Sequence, residues 1–189
     1  KPQYHTLRKI SEGDKRIDFI RPLAQIGGGK ALETVLEAYH DDDIKMKTAA
    51  VYTLSEWPEF TAVEHLLHIA REANWGKNRY LALHGFSRLI TESEISPSLK
   101  SNWMKKAIDL PQNNAEANVL LSGLSRIKTR EALNLAEKFY TWSGLENKTA
   151  WTVVQIILPT PEKKGMQGMD LIPPLQKTLE IIENEYDRE

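Results

Sequence analysis

The chain has 189 residues, of which 41% are hydrophobic and 27% are charged, and its formal net charge is −1. This composition is that of an ordinary globular protein, with room for one domain or one short repeat array. The balanced charge excludes an overall field that would attract nucleic acid or anionic lipid. The lack of cysteine excludes disulfides and thiolate metal sites, and no apolar run approaches the roughly 18–20 residues of a membrane-spanning helix.

The first predicted helix covers residues 14–26 and contains a proline. Residues 1–13 before it have no apolar period and are predicted to be a lead-in segment. Within the helix, apolar residues recur every three positions, which predicts one inner face. That face comprises Ile17, Ile20, Leu23 and Ile26. Pro22 predicts a kink within this helix or its real start.

Two short runs separate the first three helices. Gly27, Gly28 and Gly29 predict a helix stop and turn, because the spacing of a phosphate-binding loop is absent. Asp41, Asp42 and Asp43 predict capping of the next helix, since carboxylates favour a helix N-terminus and the further ligands of a calcium loop are missing.

Nine more helices follow from apolar residues spaced three and four apart. They are predicted at residues 30–40, 44–56, 59–73, 77–90, 97–110, 113–127, 130–142, 146–158 and 171–185. Trp151 is placed on the inner face of its helix, and the inner face of the last helix comprises Ile172, Leu175, Leu179 and Ile182. Residues 159–170 are predicted to be a loop. The ten helices would form five pairs.

The apolar pattern repeats along the chain. Core positions match at an offset of 31 residues: Ile20 with Val51, Leu23 with Leu54, Ile26 with Trp57, and Val35 with Leu66. One spacing also occurs three times: Ile26 to Ala31-Leu32, Trp57 to Ala62-Val63, and Ile127 to Ala132-Leu133. A fixed period of this length is typical of helical solenoids.

The paired helices resemble the HEAT-like repeat family. The resemblance rests on a small residue in the middle of each first helix with a basic residue three positions earlier, as in Lys47 with Ala50 and Arg79 with Ala82; Arg16 stands at the matching basic position. The run LSEWPEFTAVEHLLHIA, and those after it, look like HEAT arrays of exported bacterial multidomain proteins. The resemblance covers residues 14–158. It implies an all-α fold, a right-handed α-α superhelix of about five pairs, as a single domain over residues 1–189 that ends in a capping helix at 171–185.

The resemblance also implies a function. HEAT-like arrays of this kind are scaffolds, so we expect a non-enzymatic module that binds a protein or a neighbouring domain of the same polypeptide. Because the chain starts at Lys1 without a signal-peptide core, we expect a processed protein or a piece of a longer one. The family suggests an exported or periplasmic location, and we expect a monomer.

A nucleic-acid-binding protein of the DNA glycosylase type is the alternative, because some HEAT-like arrays have that activity. The helices expected on the concave side carry no net charge in total, and their only local basic cluster is Lys100, Lys105 and Lys106. Backbone binding requires a continuous basic stripe. Trp75, Trp103, Trp142 and Trp151 are tryptophans that could stack on bases, but core or rim positions are expected for most of them.

The second helix of each pair is expected to line a concave binding surface. The candidate binding residues are Glu37, His65, His68, Glu72, Lys100, Trp103, Leu135, Lys138 and Trp142. Leu135 and Trp142 stand where residues 59–73 carry polar groups, which predicts either an exposed apolar anchor or a surface covered by the last helices or a neighbouring domain. If the anchor is exposed, Trp142→Ala should weaken docking and leave the helices folded.

No catalytic or metal constellation is evident. His65, His68 and Glu72 share one helical face and have the chemistry of zinc or iron ligands, but a solvated polar face is the simpler interpretation. Glu33 and Glu37, four residues apart, also fit a solvated face rather than an acid/base pair. There is no GxSxG motif and no cysteine nucleophile. The sequence therefore predicts no enzyme, no cofactor and no bound metal.

Overall fold

A computed structural model describes residues 14–74, 76–161 and 164–186. These residues form α-helices joined by turns and short 3-10 segments, with no β-strand among them. The helices are α1 Asp14–Ile20, α2 Leu23–Ile26, α3 Gly29–Tyr39, α4 Ile44–Ser55, α5 Val63–Glu72, α6 Gly76–Glu92, α7 Pro97–Lys105, α8 Asn114–Leu124, α9 Arg130–Glu137, α10 Glu146–Ile157 and α11 Ile172–Tyr186. With α1 and α2 counted as one broken helix, these are the ten predicted helices, and the all-α class is confirmed. The lead-in segment and Trp75 lie outside the described residues.

The chain divides into two compact units, Lys1–Leu89 and Ile90–Glu189. The principal helix contacts in the first unit join α1 and α2 to α3 and α4, α3 to α4, and α4 to α5. Those in the second unit join α7 to α8 and α9, α8 to α9 and α10, α9 to α10, and α10 to α11. With α1 and α2 counted as one broken helix, the contacts in both units connect helices that are adjacent or next-but-one along the chain. None of the helices described is both long and apolar enough to cross a membrane.

The predicted interruption at Pro22 is confirmed. The chain turns between α1 and α2, and α2 ends after one turn at Gly27, whose φ of 66° is a conformation that glycine adopts without strain. The prediction that Ile26 is a core residue is wrong, since 72% of it is exposed. The break interrupts the three-residue register of the apolar pattern, and Ala24 is the buried residue of α2 instead.

The aspartates before α4 act as a cap, as predicted. Asp43 is the N-cap residue, and its carboxylate accepts a hydrogen bond from the Lys45 N–H at 2.8 Å. Asp41 is buried, accepts from the Asp43 N–H at 2.9 Å, and lies 3.3 Å from the Arg16 guanidinium. This ion pair joins α1 to the turn before α4.

The repeated spacing produces equivalent buried positions in the two units. Trp57 and Ile127 are buried after α4 and α8. The small-apolar pairs that follow at the same distance, Ala62-Val63 and Ala132-Leu133, are buried as well. This part of the predicted core is confirmed.

Two inner faces in the second unit differ from the prediction. Trp151 is 47% exposed, because α10 packs through a face that includes Ala150, Val153 and Ile157. Ile172 and Leu179 are 48% and 55% exposed. The buried residues near the start of α11 are Leu171, Pro174 and Thr178, a stripe one position earlier than the predicted one. Thr178 is held there by a hydrogen bond with the Tyr140 hydroxyl at 3.0 Å.

Candidate binding surfaces

The predicted site residues of the first unit lie on two helices, with Glu37 on α3 and His65, His68 and Glu72 on α5. The imidazole Nε2 of His68 lies 3.0 Å from a carboxylate oxygen of Glu72, and both side chains are 60% exposed. Glu37 and His65 are half-buried. Across the described ranges, no group of three or more His, Asp or Glu side chains is placed to hold a metal ion.

The predicted site residues of the second unit are largely engaged by contacts within that unit. Lys100 donates to the Thr91 carbonyl at 2.7 Å, and Lys138 lies 3.5 Å from Asp109. The Lys106 ammonium lies 3.7 Å from the centre of the Trp103 ring, in cation–π geometry. The lysines of the predicted basic cluster therefore make structural contacts, including Lys105, which lies 3.9 Å from Glu131.

Leu135 and Trp142 have different environments. Leu135 is only 5% exposed, so it is a covered core residue and not an exposed anchor. Trp142 is half-buried, and its ring centre is 5.8 Å from that of Phe139. Of this pair, Trp142 alone keeps a surface that a partner could contact, and its predicted role in docking stays a prediction.

A groove that the sequence analysis did not identify lies on the first unit, and we call it the basic groove. Its lining residues come from α1, α4, α6 and the turn after α1: Ile17, Arg21, Ile44, Lys45, Thr48, Ala49, Tyr52, Lys77 and Leu81. Three of them are cationic and none is acidic. Ile44 and Tyr52 are 48% and 47% exposed. The sequence offered one indication of this groove. Helix α4 carries apolar residues on the side away from Ala50, Val51 and Leu54, which are its core residues.

A smaller cavity lies nearby in the same unit, and we call it the Asn78 pocket. Its volume is about 180 Å3, and it is lined by Tyr39, Ile44, Lys47, Glu72, Ala73, Asn74 and Asn78. Asn78 is 7% exposed, and its side-chain carbonyl oxygen has no hydrogen-bond partner. Burial raises the pKa of the Tyr39 hydroxyl, and the nearby Glu72 carboxylate raises it further.

The pocket is lined by residues at two turns, the α3–α4 turn and the α5–α6 turn. Tyr39 ends α3 and Ile44 begins α4, while Glu72 and Ala73 lie at the end of α5. The sequence predicted Glu72 as a binding residue, but on a concave surface. Asn78 was missed, because an asparagine within a helix has no sequence feature that reports its burial.

Comparisons with known proteins do not identify a family for the chain. No protein-family model matches the chain, and no curated protein gives a significant match.

Proposed function

We propose that the protein is a non-enzymatic, HEAT-like helical-repeat scaffold whose basic groove binds an acidic, amphipathic segment of a partner protein. The observation that carries the proposal is the lining of the groove, which combines exposed apolar side chains with three cations and no carboxylate. A surface of this kind complements a segment that presents apolar anchors flanked by Asp or Glu.

The contact pattern supports the repeat architecture. In a solenoid each repeat packs only on its neighbours. With α1 and α2 counted as one broken helix, the principal contacts within each unit join adjacent or next-but-one helices. The equivalent burial of Trp57 and Ile127 at one recurring spacing also supports it. We propose that the helical pairs are HEAT-like units of a right-handed superhelix.

The apolar part of the groove supports a protein ligand. Ile44 and Tyr52 lie two turns apart on one helix and are both about half exposed. Aromatic and aliphatic side chains in such positions supply much of the energy of peptide binding. Ile17 and Leu81 extend the apolar surface on the neighbouring helices.

The charges favour a peptide over nucleic acid. A duplex-binding protein commonly neutralises about 6–10 phosphates, whereas Arg21, Lys45 and Lys77 are the cations that line this groove. Three cations are enough to select acidic side chains on a peptide that the apolar residues hold.

A random-peptide phage library provides the test. Selection on the intact chain should enrich peptides with apolar residues flanked by carboxylates. Synthetic versions should bind the wild-type chain, measured by fluorescence anisotropy, and bind the double variant Arg21→Glu/Lys77→Glu at least about tenfold more weakly. A matched control is Lys30→Glu/Lys148→Glu, which makes the same change in net charge at two exposed lysines outside the groove and should bind normally.

Other results would contradict the proposal. Enriched peptides without excess acid, or equal binding by the two double variants, would exclude the basic groove as the site. Binding of a short DNA duplex that weakens steeply with salt and is lost in Arg21→Glu/Lys77→Glu would instead favour the nucleic-acid alternative.

A further inference from the structure

We propose that the Asn78 pocket binds a free α-amino acid with a small apolar side chain. This is a small-molecule site beside the basic groove and goes beyond the proposed scaffold function. The inference rests on the buried Asn78 carbonyl oxygen, on two opposite charges at the pocket, and on the cavity size.

Asn78 shows that the pocket lacks a hydrogen-bond donor. Buried polar atoms in native proteins almost always have a partner, because an unpaired buried acceptor is costly. The Asn78 residue is 7% exposed, and its side-chain oxygen accepts no hydrogen bond. A ligand that carries an N–H donor would satisfy this oxygen, and an ammonium group has three such donors.

The charged side chains lining the pocket match a zwitterion. Glu72 contributes a carboxylate to the pocket lining. This carboxylate and the Asn78 oxygen would both attract an ammonium group. Lys47 supplies an ammonium for a ligand carboxylate. Burial and Glu72 raise the pKa of Tyr39, so its hydroxyl remains protonated and can donate to the same carboxylate.

The size and apolar lining define the class of amino acid. A cavity of about 150 Å3 accommodates a molecule the size of benzene, and the Asn78 pocket has about 180 Å3. Ile44 and Ala73 line it with apolar groups. An aliphatic side chain of about the size of leucine's matches this space and its apolar lining.

The experiment compares three probes on the intact chain by NMR titration. The probes are L-leucine, 4-methylpentanoate, which lacks the ammonium, and isoamylamine, which lacks the carboxylate. Leucine should bind saturably below about 10 mM, and each analogue should bind at least about tenfold more weakly. Asn78→Leu should reduce leucine binding by at least about tenfold, while Asn118→Leu, a half-buried asparagine outside the pocket, should not.

Two further variants keep the test decisive if Asn78→Leu does not fold. Lys47→Met should weaken binding of leucine and of 4-methylpentanoate but not of isoamylamine. Glu72→Gln should weaken binding of leucine and of isoamylamine. Absence of saturable leucine binding at about 10 mM, or equal affinity for all three probes, would overturn the proposal. Arg21→Glu/Lys77→Glu should leave leucine binding unchanged, so failure of the groove and failure of the pocket are distinguishable.

Discussion

Gly85 lies where α6 comes closest to the end of α4. A Cβ atom at this position would lie 2.5 Å from the Ser55 Cα and 2.9 Å from the Ser55 carbonyl oxygen. One turn later, Arg88 donates to the Ser55 carbonyl at 3.0 Å and to the Trp57 carbonyl at 2.6 Å. The missing side chain allows the backbones to approach, and the guanidinium then satisfies carbonyls at the C-terminal end of α4.

The variant Gly85→Ala should therefore be destabilising, although alanine favours a helix more than glycine does. We expect the free energy of unfolding to fall by about 1–3 kcal/mol, because the neighbour that must move is backbone. Urea unfolding followed by circular dichroism measures it. Gly29→Ala is the control, since nothing lies within 4 Å of a Cβ there; a similar loss in both variants would show that the close approach at Ser55 is unimportant.

At the scale of an element, α9 shows how a local cap also joins two helices. Thr129 is its N-cap residue, and the hydroxyl accepts a hydrogen bond from the Ala132 N–H at 3.0 Å. The same hydroxyl lies 2.6 Å from the Ser101 hydroxyl on α7. The sequence predicted a helix start at Arg130, but the contact with Ser101 depends on how α7 and α9 pack.

We expect Thr129→Ala to lower the free energy of unfolding by about 0.5–2 kcal/mol, the usual value of an N-cap. Thr141→Ala is the matched control, because that exposed hydroxyl donates only to the Lys138 carbonyl one turn earlier. A double-mutant cycle with Ser101→Ala should show non-additive losses, since the two hydroxyls share a hydrogen bond. Strict additivity would indicate that the cap acts within α9 alone.

The segment before α11 is held by an ion pair with α9. Arg130 donates to the Gln167 carbonyl at 2.6 Å and to the Asp170 carboxylate at 2.8 Å. The hydrogen bond from Arg130 lowers the pKa of Asp170. A carboxyl group whose pKa is lowered by folding stabilises the folded state above its unfolded pKa of about 4, and this contribution is lost as pH falls through the lower folded pKa.

Carbon-detected NMR should show that Asp170 titrates with a midpoint pH below the ordinary range for an aspartate. The variant Arg130→Met should raise that midpoint. The loss of stability on acidification should also become less steep in that variant. Arg126→Met, which removes an exposed arginine elsewhere on the second unit, is the control. An unchanged Asp170 titration in Arg130→Met would mean that the ion pair does not form in solution.

At the scale of the whole molecule, the chain has two compact units, and each contains fully buried apolar residues. Leu66 in the first unit and Leu120 in the second are both fully buried. Truncation of either leucine to alanine should cost about 2–5 kcal/mol of local stability through lost burial and the remaining cavity. In arrays with mostly neighbouring contacts, such a loss need not spread through the entire chain.

Hydrogen exchange followed by mass spectrometry tests this independence. Leu66→Ala should lower amide protection mainly within residues 14–89, and Leu120→Ala mainly within residues 97–157. The two variants serve as controls for each other, because the substitution is the same and both sites are fully buried. Equal loss of protection in both ranges for either variant would indicate one cooperative molecule.

The sequence alone determined the helices, their order and several of their ends. Residues 146–158 were predicted as a helix, and α10 spans Glu146–Ile157; Asp43 was predicted to cap α4 and does so. These features depend on hydrogen bonds and side chains within a few residues of one another, so the local sequence contains the necessary information.

Only the tertiary structure decided which apolar faces are covered. Ile26 and Leu179 belong to regular apolar stripes but are exposed, whereas Leu135 is buried. The basic groove and the Asn78 pocket likewise arise from residues on separate helices. A helix with apolar residues on adjoining faces offers more than one packing surface of similar hydrophobicity, and it is the neighbouring helices, distant in sequence, that select the face to be buried.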